Sequence, residues 1–575
     1  MENKEIARML SETADLMEVA GQDPFRIRSY RNGAAAIANY PERIADIVCN
    51  TDRKVTEIAG IGKGLAAVLE EICERGSFER RDEMLAKYPA SALELLKIQG
   101  LGPKSIALLY EHYGVKTVDD LERICREQKL RDLPRMGAKL EEKVLRSIEA
   151  YRKSAGRYLL SFALRVADEL RAEFLALPGI EKVEAAGSLR RGRETIGDLD
   201  LLATGPGAAQ TLTHLVNHPK AQETLGQGAN KASVKYGLER LQVDVRALGA
   251  ESFGSAMQYF TGSKEHNVAL RTNAIKQGFM LNEYGLFSAE GNQRLAGDNE
   301  DEVYRRLGYD WIPPELRENC GELELAEGHA LPKLLDVSDM RGDLHMHTTQ
   351  TDGRASLREM ADAAAALGYE YIAITDHSKA LAMANGLDEK RVVAFAQDVR
   401  ELNRDGLPLR IFSGLECDIL RDGSMDIDEG SLAELDLVIG SVHSYVNLEP
   451  QEMTERLLRV LDSPSLKILG HLTGRILLHR ESYSFDFDRV AAKAAERGVF
   501  LEINASPERL DLPSHLVRAA KRKGCKFTIS TDAHRIQHLH NMRLGVITAR
   551  RGWLEAVDVI NTKPLAGFEA ALRAG

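Results

Sequence analysis

A chain of 575 residues is too long for one core, and 44% apolar with 28% charged residues is the makeup of a multidomain globular protein. No apolar run spans a bilayer, the start MENKEIARMLSE lacks a secretory shape, and the six cysteines (49, 73, 125, 320, 417, 525) form no CxxC pair. Membrane proteins, disulfide scaffolds and thiolate zinc sites are thereby excluded, and a cytoplasmic monomer is expected.

The net charge of −11 sits almost wholly after residue 300, as do most histidines, so the two halves read as different proteins. The first 155 residues read as short helices broken by three turns: IAGIGKGLAAVLEEI (58–72), IQGLGPKSIALLYEH (98–112) and LPRMGAKLEEKVLRS (133–147). In the first two, Gly60 and Gly62, then Gly100 and Gly102, permit a tight hairpin whose outward backbone N–H groups precede an amphipathic helix. This helix-hairpin-helix pattern grips DNA phosphates without reading bases. The third copy keeps only Gly137. A packing corner explains one such turn, but two clear copies favour phosphate binding.

From residue 157 a helix (157–176) leads into the strands VEAAGS, DLDLLAT and LQVDVRAL. The strand period of two puts Asp198 and Asp200 on one face, and Asp244 lies on a second strand. A lone Asp-x-Asp reads most simply as exposed acids at a strand end. Here Gly187-Ser188 and two arginines supply a phosphate-binding turn just upstream, so the three carboxylates read as a cage for hard cations that take substrate phosphates as further ligands.

The stretches GSLRRGRETIGDLDLL (187–202), VDVR and YFTGSKEHN (259–267) together resemble the family X DNA polymerases over residues 1–316. The resemblance implies that Asp198, Asp200 and Asp244 hold two catalytic Mg²⁺ or Mn²⁺ ions, with Asp244 next to the primer 3′-hydroxyl. Gly187, Ser188, Arg191 and Gly197 would bind the incoming deoxynucleoside triphosphate. Tyr259, Phe260 and Gly262 would pack on its sugar, and Asn267 and Arg271 would contact the nascent base pair and template. LNEYGLF (281–287) resembles the thumb turn. Two departures stand out. Val68 occupies the position of the Schiff-base lysine used for deoxyribose-phosphate lyase activity, and Lys63 is on the turn, so that activity is not expected. Gln242 replaces a common arginine, which predicts less positive charge around Asp244.

Residues 317–340 read as a polar, acidic connector, after which apolar strands alternate with amphipathic helices. GDLHMHT (342–348) sets Asp343, His345 and His347 on one strand face. Asp352, ITDHS with His377, GLECD with Glu416, GSVHS with His443, LGHLTG with His471, and STDAH with Asp532 and His534 follow, each at or just past a strand end; FLEIN (500–504) adds another strand. In a parallel barrel those ends share one face, and imidazole with carboxylate suits Zn²⁺, Fe²⁺ or Mn²⁺. His479, His515, His538 and His540 fit no such pattern and are expected on the surface.

This second pattern resembles the polymerase-and-histidinol-phosphatase (PHP) domain, a distorted seven-stranded barrel, over roughly 340–575. The resemblance implies up to three ions: His345, His347, Glu416 and Asp532 on one; Glu416, His443 and His471 on a second; Asp352, His377 and His534 on a third. The expected fold is therefore multidomain: an all-α helix-hairpin-helix region (1–85 and 86–156), an α+β nucleotidyltransferase palm (157–250) and thumb (251–316), a linker (317–340), and an α/β distorted (β/α)7 PHP barrel (341–575). The expected activity is gap-filling DNA synthesis in repair, on gapped or nicked DNA, with 3′→5′ exonuclease or 3′-end processing in the barrel. Rivals are a template-independent nucleotidyltransferase, against which YFTGS, Asn267 and Arg271 speak; a small-ester phosphatase with a DNA-binding arm; and a DNA-end scaffold without catalysis.

Overall fold

The computed structural model describes residues 1–575 apart from 2, 39, 41, 49–52, 59, 90, 135, 155 and 575, and the side chains of all of these but 4, 150, 153, 154 and 574; Cys49 lies outside the described residues. Two compact units result, Met1–Ala155 and Gly156–Gly575.

Among its described residues the first unit is helical, with one apolar cluster running from Ile6 to Ile148. Its two hairpins follow from glycine chemistry. Gly60 and Gly100 take φ of +93° and +98°, and a β-carbon on Gly100 would stand 2.9 Å from Leu140 Cδ1. Gly62 and Gly102 cap the helices Lys63–Arg75 and Pro103–Tyr113. Pro103 suits that start, where its missing N–H leaves no bond unmade. Left-handed Gly76 and Gly114 end the same helices. Val68 is half-buried against the helical core.

The second unit begins with a five-stranded sheet in the order Lys182–Ala185, Asp198–Thr204, Leu241–Leu248, Lys231–Tyr236, Ala221–Gln227. Helices Leu160–Leu175 and Gln210–Val216 cover it through Leu170, Phe174, Leu212 and Leu215. Helix Phe253–Thr261 leads to helix Lys264–Lys276 and a three-stranded antiparallel sheet, whose Phe279–Asn282 and Gly285–Ser288 hairpin carries the LNEYGLF turn. Residues 317–340 are packed rather than loose. Helix Glu322–Glu327 buries Leu323 and Ala326 in the same cluster as Leu270 and Leu286, joined by Trp553. Their polarity hides this because a buried ion pair and a buried hydrogen bond carry the polar groups inward. Arg317 bonds Glu300 at 2.6 Å and Glu322 meets His266 at 2.7 Å, with Arg317, Glu322 and His266 fully buried.

Seven parallel strands follow in chain order: Gly342–Asp343, Tyr371–Ile374, Arg410–Asp418, Leu437–Ser441, Leu466–Leu469, Phe500–Asn504 and Phe527–Ser530. The ends meet through a parallel bridge between Met346 and Ala533, and buried Asp343 accepts from Thr531 N and Oγ1, nearly closing a barrel. Barrel and sheet share a core: Leu510 and Leu544 join the sheet's apolar cluster. The missing side chain of Gly192 makes room for Ile547, whose Cγ2 would lie 2.2 Å from a β-carbon there.

Candidate metal and phosphate sites

The parallel pairing of Asp198–Thr204 with Leu241–Leu248 sets Asp200 opposite Asp244 and Asp198 opposite Gln242, so the three acids face the same side. Asp198 is exposed, Asp200 half-buried and Asp244 buried. Burial, and then the carboxylates of Asp198 and Asp244, push Asp200 up to about 7. Such mutual repulsion is what divalent cations relieve, and the all-oxygen donor set fits Mg²⁺ or Mn²⁺. Positive charge is not lacking at Asp244, contrary to the expectation from Gln242. Lys231, from the adjacent antiparallel strand, reaches its Oδ2 at 2.5 Å, while Gln242 Nε2 donates to Oδ1 at 3.2 Å. The cation comes from a neighbouring strand, where linear spacing does not reveal it.

The short helix Gly187–Arg190 begins directly against Asp200. Ser188 is half-buried at its start, and Gly197 has room beside Arg157 Nη1, 3.7 Å from its missing β-carbon. Arg191 is held by Glu318 Oε1 at 3.2 Å and by the Thr261 carbonyl, and a β-carbon on Gly262 would touch its Nη1 at 3.0 Å. The Phe260 ring stacks on the Arg246 guanidinium, 4.2 Å from its centroid, and meets Tyr259 edge-on. Asn267 accepts from Gln258 and donates to the Tyr259 carbonyl, while Arg271 is exposed on helix Lys264–Lys276. The turn, the Tyr259–Gly262 segment and the aspartates thus form one surface.

The barrel gathers all nine expected ligands. Glu416 is the centre: Oε2 faces His345 Nε2 (3.4 Å), His347 Nε2 (3.7 Å) and His377 Nδ1 (2.8 Å), and Oε1 faces His443 Nε2 (3.2 Å) and His471 Nε2 (2.8 Å). Asp532 Oδ1 lies 3.2 Å from His347 Nε2 and 3.8 Å from His345 Nε2. Asp352 reaches His377 at 3.6 Å and His534 at 3.5 Å, and the His347 ring lies against the rings of both histidines. His471 and Asp532 take positive φ, 23° and 53°, strain typical of side chains re-aimed at a site.

These residues fit a metal-loaded site. Both ring nitrogens of His347, and His345 Nε2, are buried with no hydrogen-bond partner. Burial, then the neighbouring His377 and His534, pull His347 down to about 3, leaving neutral imidazole lone pairs for a cation. Burial would raise the Glu416 carboxyl, but the surrounding imidazoles hold it well below the usual range. His534 Nδ1 donates to the Asp532 carbonyl, which leaves Nε2 as the coordinating atom. By contrast Glu173, His214 and His218 also cluster, but Lys220 N–H donates to His218 Nδ1 at 3.0 Å. The proton of His218 therefore sits on Nε2 and donates to Glu173 at 3.1 Å, so this group is a hydrogen-bonded brace.

Three acids escaped the sequence reading. Glu502 bonds His345 Nδ1 at 2.7 Å and the His471 backbone N–H at 2.7 Å, Asp418 lies 3.3 Å from His443 Nδ1, and Asp376 ties Thr348 and Thr351 beneath the cluster. The available signal was an acid on an apolar strand, Glu502 in FLEIN and Asp418 two residues after Glu416 in GLECD. His538 is half-buried and its Nδ1 accepts from His534 N; His479, His515 and His540 are exposed.

Comparison with known families agrees with this layout. Residues 1–78 match the helix-hairpin-helix domain, 92–150 the SAM-like helix-hairpin-helix tandem, 256–318 the DNA polymerase beta thumb and 343–506 the PHP domain. Asp532 and His534 lie beyond that last stretch yet complete the cluster. DNA polymerase lambda of Arabidopsis thaliana is 25% identical over 347 residues, 55% of this chain and 62% of that one. A "Probable phosphatase" of Clostridium acetobutylicum is 30% identical over 204 residues, 33% of this chain and 78% of its own. The DNA polymerase/3′-5′ exonuclease PolX of Bacillus subtilis is 36% identical over 574 residues, 100% of both chains. With both ends of the molecule covered in one alignment, the chain belongs to the bacterial family X DNA polymerases that carry a C-terminal PHP domain.

Proposed function

We propose that the chain is a DNA-directed DNA polymerase that fills short gaps during repair and trims 3′ ends with a 3′→5′ exonuclease in its barrel. The observation that carries the reading is that two complete and chemically distinct donor sets, one all-carboxylate beside a phosphate turn and one imidazole-rich, occur on a chain aligned end to end with a named polymerase/exonuclease. Asp198, Asp200 and Asp244 would hold two Mg²⁺ or Mn²⁺ ions. His345, His347, Glu416 and Asp532, then Glu416, His443 and His471, then Asp352, His377 and His534, would hold up to three Mn²⁺, Zn²⁺ or Fe²⁺ ions. Bound divalent ions would supply charge neutralisation at the triphosphate and an activated water for hydrolysis.

The protein's own groups orient and exclude. The Gly187 turn brings backbone against Asp200, so a triphosphate can approach the acids closely. Glu318, which pairs with Arg191 at 3.2 Å, would compete with that triphosphate for the guanidinium. Glu502 and Asp418 fix the ring faces of His345 and His443. The hairpins at Gly60–Gly62 and Gly100–Gly102 would hold DNA phosphates of the gapped or nicked substrate. Val68 has no amine, so abasic-site cleavage by a Schiff base is not expected of the helical unit.

The test is a 5′-labelled primer in a one-nucleotide gap with Mn²⁺, with and without deoxynucleotides. Asp200→Ala is expected to abolish extension alone, and His345→Ala shortening alone. Unchanged products in both variants would refute both assignments. The phosphatase relative of the barrel favours a second reading there, hydrolysis of small phosphate esters. Faster turnover of such esters than of the oligonucleotide would establish it instead.

A further inference from the structure

Arg509 sits in the turn between strand Phe500–Asn504 and helix Ser514–Arg522, and its side chain is only 18% exposed. Its Nε atom stands 3.7 Å from Asp532 Oδ2, beyond hydrogen-bond distance, and its guanidinium donates no hydrogen bond among the described residues. The two fully sequestered arginines nearest in kind are bonded: Arg317 to Glu300 and the Ile312 carbonyl, and Arg456 to the carbonyls of Ile419, Leu420 and Ser444.

Its backbone is pinned by Arg475 of the same barrel, which is itself held by Glu194 beside the palm sheet. Arg475 Nε donates to the Arg509 carbonyl at 3.0 Å and Nη2 to the Leu510 carbonyl. The same Arg475 pairs both terminal nitrogens with Glu194, at 2.8 and 3.1 Å, in the stretch that carries the polymerase phosphate turn.

We propose that Arg509 holds the substrate phosphate in the barrel site, donating its paired N–H groups to the non-bridging oxygens of the phosphodiester under hydrolysis, with Glu194 acting through Arg475 as a positioning residue. This rests on the exonuclease reading above. The planar fork of a guanidinium matches two phosphate oxygens, and an arginine with unused donors beside a metal-type cluster is preorganised for that contact. Charge gathers on those oxygens as water attacks phosphorus and the bond to the 3′-oxygen breaks, so the contact strengthens as the reaction proceeds. The competing role, an internal partner of Asp532, is weaker because Asn504 Nδ2 already serves that oxygen at 3.1 Å.

The full chain is assayed on a 5′-labelled single-stranded oligonucleotide with Mn²⁺. Arg509→Ala is expected to lower kcat/KM for shortening roughly a hundredfold. Added guanidinium should restore part of the rate, and Mn²⁺ retained through gel filtration and gap extension should match the wild type. Glu194→Gln should lower the shortening rate less, with Mn²⁺ again retained. Full shortening by Arg509→Ala while His345→Ala is inactive would overturn this proposal alone, as would loss of bound Mn²⁺ from Arg509→Ala, which would make Arg509 a support for Asp532. Shortening that survives His345→Ala would overturn the exonuclease reading and this proposal with it.

Discussion

At Gly187 the backbone takes φ of +63°, and a β-carbon would stand 2.7 Å from Asp200 Oδ2. Both facts bear on one residue type, since only glycine accepts that conformation without strain and only glycine leaves the carboxylate in place. Gly187→Ala therefore displaces Asp200 from the face it shares with Asp244. Nucleotide incorporation in the gap assay is expected to fall at least about tenfold, as misplacement of a reacting group does, while 3′ shortening is unchanged. Equal losses in both activities would point to general unfolding. The aspartates themselves were legible from their spacing of two. Lys231 was not, because its contact with Asp244 depends on which strand lies beside Leu241–Leu248.

The hairpin-helix element permits a cleaner separation of fold from function. Gly62 and Gly102 have extended φ, and a β-carbon at either meets nothing within 4 Å. Aspartate is among the best residues to cap a helix start, so Gly62→Asp or Gly102→Asp should keep or raise the melting temperature. The same carboxylate placed where N–H groups face a phosphate repels it. DNA affinity is expected to fall about tenfold per hairpin, with a shallower dependence of log Kd on log salt, measured by anisotropy titration. Undiminished affinity would reduce both turns to packing corners. Here the motif alone located the element, since a glycine pattern at fixed spacing specifies a local backbone shape without help from distant residues.

Across the second unit, buried charge joins segments that are far apart in sequence. Glu300 bonds Arg190 of the short helix Gly187–Arg190, Arg317 and the Trp311 indole N–H. Burial alone would raise its carboxyl, but Arg317 and Arg190 hold it well below its ordinary 4.5. A depressed carboxylate stabilises the fold above that ordinary value and loses its contribution as pH falls below it. Glu300→Gln leaves the fully buried Arg317 short of its counter-charge and is expected to cost about 3 kcal/mol near pH 7. In thermal melts its deficit against the wild type should be constant from neutral pH down to about 4.5 and shrink below that. A deficit that grows on acidification would contradict the assignment.

By itself the sequence determined the chemistry: which side chains can bind cations or phosphate, on which strand ends and turns they lie, and from these the polymerase and PHP families. Residue type and short-range spacing carry that information, because strand period, strand ends and glycine turns are local properties. Only the tertiary structure decided the partners. Glu502 lies 157 positions from the His345 it orients, Glu194 lies 281 from Arg475, and the polar run 317–340 is anchored by buried Arg317 and Glu322 through Glu300 and His266. Such contacts arise when a barrel closes and docks on a sheet. No periodicity encodes them, because the pairing charges share no element and meet only through the long-range path of the chain.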